Sequence, residues 1–184
     1  MEKTNSKKLV TTDITLMALF VALIAICAWI SIPTTVPFTL QTFAVFFTCA
    51  LLGGKRGTIS IVVYILLGAI GIPVFAGFRG GVGALFGPTG GYILGFILCA
   101  ITLWGITSIF GDKTIVLTLA MILGLALCYG FGTLWFMLVY AQKSGAIALG
   151  SVLSWCVFPF IIPDLIKMAL AIALSKRLKK HLPL

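Results

Sequence analysis

The chain has 184 residues, 61% of them hydrophobic, 12% aromatic and only 9% charged, with a mean hydropathy of +1.22. Soluble domains hold roughly 45–50% apolar residues, so this composition excludes a water-soluble globule and implies one all-α membrane domain spanning residues 1–184. The formal net charge of +9 falls in short clusters beside apolar runs, a pattern that suits anionic lipid headgroups and argues against a nucleic-acid surface.

A membrane span needs about 20 apolar residues, and the Pro, Gly and charged breaks divide the chain into six predicted helices in a compact bundle. The first runs from Asp13 to Ser31. Lys3, Lys7 and Lys8 precede it as in a signal peptide, but its apolar run exceeds the usual ~7–15 residues and further spans follow, so it is expected to be retained. Ile24-Ala25-Ile26 before Cys27 lacks the small residue of a lipidation site. Ala18, Ala22 and Ala25 form a small-residue stripe that lets another helix approach closely, whether within the bundle or on a partner.

Ile32 to Thr42 holds two prolines, followed by Thr39 and Gln41 at the start of the predicted second helix, Thr39 to Leu52. These polar groups suit either a binding loop or an ordinary helix start. The third helix is predicted over Thr58 to Ile72, after the basic pair Lys55-Arg56.

Between the third and fourth helices, Gly71 to Tyr92 is rich in glycine and proline and is expected to form irregular backbone near the outer face. Such backbone is tolerated at membrane depth only when it is buried in protein or lines a cavity. Glycines such as Gly80 and Gly91 let the chain approach a ligand, and Arg79 offers a forked cation suited to a carboxylate. Thr89 is a helix cap or a ligand contact, and Tyr92 an apolar wall with a polar tip. A flexible external connector is the competing reading of this segment.

The fourth and fifth helices are predicted over Gly91 to Phe110 and Thr114 to Tyr140. Gly111-Asp112-Lys113-Thr114 lacks the glycines of a phosphate-binding loop, so ATP hydrolysis by this chain alone is not expected. Ser144 to Phe160 reads as broken and amphiphilic. The sixth helix is predicted over Pro163 to Leu178, with Pro163 in its first turn and Asp164 beside its positive end. Lys167 then falls one turn on, on the same face. Charge at a bilayer centre costs ~2.5–3.5 kcal/mol, whereas an exposed i,i+3 ion pair returns only about 0.2–0.5 kcal/mol. Asp164 and Lys167 are therefore expected to contact a ligand rather than merely to hold the helix end. Ala169 and Ala173 repeat the small-residue spacing.

Cys27, Cys49, Cys99, Cys128 and Cys156 are scattered through apolar runs with no C-x-x-C pair, which suits packing rather than a disulfide or metal site. His181 stands alone in the basic tail. No metal or cofactor is expected. Placing the terminal lysines, Lys55, Arg56, Lys113, Lys176, Arg177, Lys179 and Lys180 inside leaves Arg79, Lys143 and Lys167 outside, so the positive-inside rule puts both termini in the cytoplasm.

The runs VPFTLQTFAV, LLGAIGIPVFAGFRGGVGALFGPTGGY and FPFIIPDLIKMALA together resemble the BioY family, the biotin-specific S components of energy-coupling factor (ECF) transporters, over nearly the whole chain. The resemblance implies a non-enzymatic six-helix subunit of the cell membrane that binds biotin near the external face. It also implies a transmembrane coupling protein and two cytoplasmic ATPases as partners, with Ala18 and Ala22 in the docking stripe. On that reading Asp164 accepts from the ureido N–H groups, Lys167 or Arg79 binds the carboxylate, and Phe75, Phe86 or Tyr92 covers the ring. The competing functions are a membrane enzyme using Asp164 and Lys167 as acid and base, an S component for another small vitamin, and a scaffold or small channel. The enzyme would need a nucleophile among scattered Ser and Thr, and the channel polar helix faces that are absent here.

Overall fold

The computed structural model describes residues 11–34 and 36–181, and of 143 and 144 the backbone alone; the terminal lysines Lys3, Lys7 and Lys8 and the side chain of Lys143 lie outside the described residues. In chain order the elements are α1 (Thr11–Trp29), β1 (Ser31–Ile32), β2 (Phe38–Thr39), α2 (Gln41–Leu52), α3 (Gly54–Ala69), α4 (Val82–Leu85), α5 (Gly90–Phe110), α6 (Thr114–Ser144), α7 (Leu149–Cys156) and α8 (Phe158–Lys179). Four stretches are long and apolar enough to cross a membrane: Thr11–Trp29, Gly90–Phe110, Thr114–Gln142 and Leu149–Lys179. The chain is thus a mainly helical, multi-pass membrane protein.

Apolar residues on every face leave burial, rather than amphipathic pattern, to identify the centre. Residues 44 to 52 of α2 are all buried, which makes this twelve-residue helix the axis around which α1, α3, α5 and α8 pack. Gly53, at φ 80°, reverses the chain between α2 and α3 in a single residue, a conformation that a side chain would strain.

α5 and α6 form the most extensive helix pair, and their contact is reciprocal. A Cβ on Gly95 would lie 2.8 Å from the Cys128 sulfur, and one on Gly124 would lie 2.8 Å from the Cys99 sulfur. Small residues facing thiols bring the two backbones together, the close packing on which helix association in lipid depends. The expected packing role of these two cysteines is thereby seen directly.

Several sequence expectations are corrected. The last helix does not begin at Pro163: α8 starts at Phe158, Pro159 occupies the first turn, and Pro163 lies inside the helix. Asp164 is accordingly a full turn beyond the helix end, and the dipole argument for its charge does not hold. Residues 144 to 160 contain α7, and Lys55 and Arg56 belong to the first turn of α3. The all-α expectation misses a short antiparallel ladder pairing Ser31 with Thr39 and Ile32 with Phe38.

From Gly71 to Thr89 the backbone makes a Phe75–Arg79 bridge and the four-residue α4. Trp29 ties this segment to α1, its Nε1–H donating to the Pro73 carbonyl at 2.8 Å and its ring stacking on Phe78. Asp13 pairs with Arg56 at 3.0 Å and Asp112 with Lys179 at 3.2 Å. Both ion pairs sit at the end of the bundle where α1 starts and α8 finishes.

Candidate functional site

The opposite end of the bundle holds a cavity. It lies where α2, α5 and α8 begin, with α6 and the segment between α1 and α2 completing its lining. Its walls are largely apolar. Tyr92 and Phe96 contribute from α5, Leu125 and Cys128 from α6, and Phe160 from α8. A satellite core of Val36, Phe136, Val152, Cys156 and Phe160 backs the wall formed by α7 and α8.

One polar cluster interrupts this lining. Asp164 and Lys167, adjacent on one face of α8, are 2% and 5% exposed. Lys167 Nζ donates to Asp164 Oδ1 at 2.8 Å and to the Thr39 carbonyl at 2.7 Å, and it lies 4.3 Å from the centre of the Phe38 ring. Tyr129 on α6 donates its hydroxyl proton to Asp164 Oδ2 at 2.5 Å. The acid and base therefore form a buried, internally neutral pair held from three sides. Two of the three ammonium protons are engaged, and the third is uncommitted among the described residues.

Gln41 enters the cavity from the first turn of α2. Its backbone N–H donates to Thr39 Oγ1 at 3.2 Å and its Nε2 donates to the Tyr64 hydroxyl at 3.0 Å. Tyr64 in turn donates to the Val74 carbonyl at 3.0 Å.

Of the residues singled out in the sequence, Thr89, Tyr92, Asp164 and Lys167 line this cavity together. The Tyr92 hydroxyl lies 3.2 Å from that of Thr133. Arg79 is exposed on the Phe75–Arg79 turn, whose residue Ala76 reaches the cavity wall. Gly80 backs onto the carbonyl of Ile72, and Gly91 onto Trp135. Phe75 is buried edge-on against Tyr64, and Phe86 is exposed beside Trp135, so among the three aromatic covers only Tyr92 meets the cavity.

Ala18 and Ala22 lie elsewhere, in a nearly wholly apolar groove along α1 and α3 with Met17, Trp29, Val63 and Val74. Sequence reasoning passed over Tyr129 and Phe160, read Cys128 and Cys156 as packing residues, and left Thr39 and Gln41 undecided. In a chain this apolar, a tyrosine or cysteine inside a long helix carries no periodic signal. Among the described residues no group of three or more His, Cys, Asp or Glu is placed to hold a metal ion.

Comparison with known proteins agrees with this architecture. The BioY family model matches residues 1–184. A biotin transporter BioY of Thermotoga maritima is 42% identical, covering 88% of this chain and 92% of its own, and a probable biotin transporter BioY of Pyrococcus horikoshii is 41% identical, covering 91% and 96%. The crystal structure of the S-component for biotin from an ECF-type ABC transporter superposes with a TM-score of 0.79 at 28% identity, covering 98% of this chain and 95% of that one. A full-length family match together with relatives above 40% identity over most of both chains establishes that this chain belongs to the BioY family.

Proposed function

We propose that the chain is the biotin-binding S component of an ECF-type vitamin uptake transporter, a subunit that captures biotin and catalyses no reaction. The observation that carries this reading is the neutral Asp164–Lys167 pair buried in the wall of a largely apolar cavity. Biotin's cyclic urea is itself neutral and presents N–H donors beside a carbonyl acceptor. The N–H edge suits the remaining acceptor capacity of Asp164, and the carbonyl suits the uncommitted proton of Lys167. Binding the urea there adds no net charge to a dry site, which avoids the cost of an unpaired buried ion.

A carboxylate beside the same pair would leave one negative charge without a counterion. The acid tail is therefore assigned to the mouth of the cavity, toward Arg79, whose exposed guanidinium can pair with it in a forked geometry. Tyr92, Phe96 and Phe160 enclose the apolar ring. Thr89 lines the mouth, while Gly80 and Gly91 serve the backbone packing around the site.

Six helices, α1, α2, α3, α5, α6 and α8, alternate in direction and are read as the transmembrane set. α2 and α3 at ~1.5 Å per residue reach only part of the bilayer thickness. The basic residues Lys55, Arg56, Lys113 and Lys176 to Lys180 lie at the end away from the cavity. The positive-inside rule then places both termini in the cytoplasm and opens the cavity outward. The Ala18–Ala22 groove is assigned to the transmembrane coupling protein, with two cytoplasmic ATPases supplying the energy.

Purified protein incubated with labelled biotin should retain it reversibly and return it chemically unchanged. Failure to retain biotin, or release of an altered product, rejects the proposal.

A further inference from the structure

Gln41 lines the cavity, yet an amide can present either its donor or its acceptor end to a ligand. Its neighbours decide which. The Tyr64 hydroxyl lies 3.0 Å from the Val74 carbonyl, and a carbonyl can only accept, so the tyrosine proton is committed there. What remains at the Tyr64 oxygen is a lone pair, which lies 3.0 Å from the Gln41 amide and takes a proton from Nε2. The opposite amide orientation would set two acceptors against each other in a fully buried position, since Tyr64 has 0% exposure.

Gln41 Oε1 receives no hydrogen bond from the described residues, and it belongs to a side chain that faces the cavity. We infer that Tyr64, although outside the cavity lining, is a positioning residue that fixes Gln41 as a hydrogen-bond acceptor for the second ureido N–H of biotin. The inference rests on the biotin reading above and deepens it. A urea has two N–H donors and one carbonyl: Asp164 takes one donor, Gln41 Oε1 takes the other, and Lys167 donates to the carbonyl. The Tyr64 ring is held for this task by Phe75 packed edge-on at 5.6 Å between ring centres, and the Val74 carbonyl by the segment that Trp29 anchors through Pro73.

The test uses the full chain in detergent and three ligands: biotin and the two lactam analogues in which one or the other ureido NH is replaced by CH2. In the wild type, the analogue lacking the N–H that faces Gln41 should bind about three- to tenfold more weakly than biotin, the loss of one ordinary hydrogen bond. Tyr64→Phe frees the amide to turn. That variant should shrink this penalty toward one while leaving the other isomer's penalty unchanged.

A purely structural defect would instead weaken all three ligands by a common factor, which would overturn the inference, as would unchanged penalties. Gln41→Met serves as the second variant, and it keeps the question open to refutation even where Tyr64→Phe does not fold. It should abolish the same penalty, and a penalty that persists in Gln41→Met overturns the assignment. Adding Tyr64→Phe to Gln41→Met should change the penalty no further. Wild-type protein that binds no biotin sinks the functional reading and this inference together, whereas biotin binding with unaltered penalties sinks only the latter.

Discussion

Whether the Asp164–Lys167 pair serves the fold or the ligand can be decided by removing it in two ways. Lys167→Met strips the counterion from a carboxylate that is 2% exposed, and breaking a buried pair from one side costs about 3–5 kcal/mol. Replacing the whole pair with apolar groups is a different perturbation, often neutral or stabilising by about 1–4 kcal/mol. The matching variant is Asp164→Leu with Lys167→Met, together with Tyr129→Phe so that no hydroxyl is stranded at a further ~1–3 kcal/mol.

The triple variant should therefore unfold at or above the wild-type temperature, while Lys167→Met alone unfolds well below it, as followed by tryptophan fluorescence in detergent. Biotin binding behaves oppositely. Two hydrogen bonds to charged groups at ~1.5–3 kcal/mol each amount to roughly 10²–10⁴-fold in affinity, so equilibrium dialysis should find the stable triple variant unable to retain the ligand. A triple variant as unstable as the single one would mean the pair holds the bundle together. One that still binds biotin at wild-type strength would refute the urea assignment.

Arg79→Gln should weaken biotin severalfold yet leave biotin amide unaffected, because only the acid has a tail charge to lose; equal losses by competition binding would remove Arg79 from the site. Gly132→Ala drives a methyl to 2.2 Å from the Tyr92 ring, an overpacking that costs about 1–3 kcal/mol and should lower both the unfolding temperature and biotin affinity by displacing a cavity wall. Cys128 and Cys156 line the cavity while Cys27, Cys49 and Cys99 do not, so saturating biotin should slow alkylation of the first two in peptide mapping and leave the others unchanged. Leucine at both Ala18 and Ala22 fills the α1–α3 groove; it should preserve biotin binding by the isolated chain and abolish co-purification with the proposed coupling protein.

The charged residues were legible in the sequence for the reason that makes them costly: Asp164 and Lys167 stand out because everything around them is apolar. The helices emerged from the same contrast, since glycine, proline and charge are the only punctuation available. What stayed hidden follows from that uniformity. Tyr129 reaches Asp164 across 35 positions, but within a continuous 31-residue helix it looks like any membrane tyrosine. Phe160 was read as part of a broken connector because Pro163 resembled a helix start; Pro159, four residues earlier, fills that role, and the bundle tolerates the second proline in mid-helix. The position of Arg79 depends on a turn closed by the backbone of Phe75, which no side-chain pattern announces. The Ala18–Ala22 stripe was visible as a spacing, but the groove beside it becomes apparent only once α3 is in place.

The bond from Lys167 to the Thr39 carbonyl joins positions 128 residues apart and carries a consequence for biogenesis. During synthesis the α1–α2 part of the cavity leaves the ribosome long before its acid and base, which arrive together on α8 and offset each other's charge while passing into the bilayer. A nascent chain released before α8 has Gln41 and Arg79 but lacks the acid and base. On the proposed reading, full-strength retention of biotin would mark a molecule whose α8 has been inserted, because the Asp164–Lys167 pair is the last part of the cavity lining to be made.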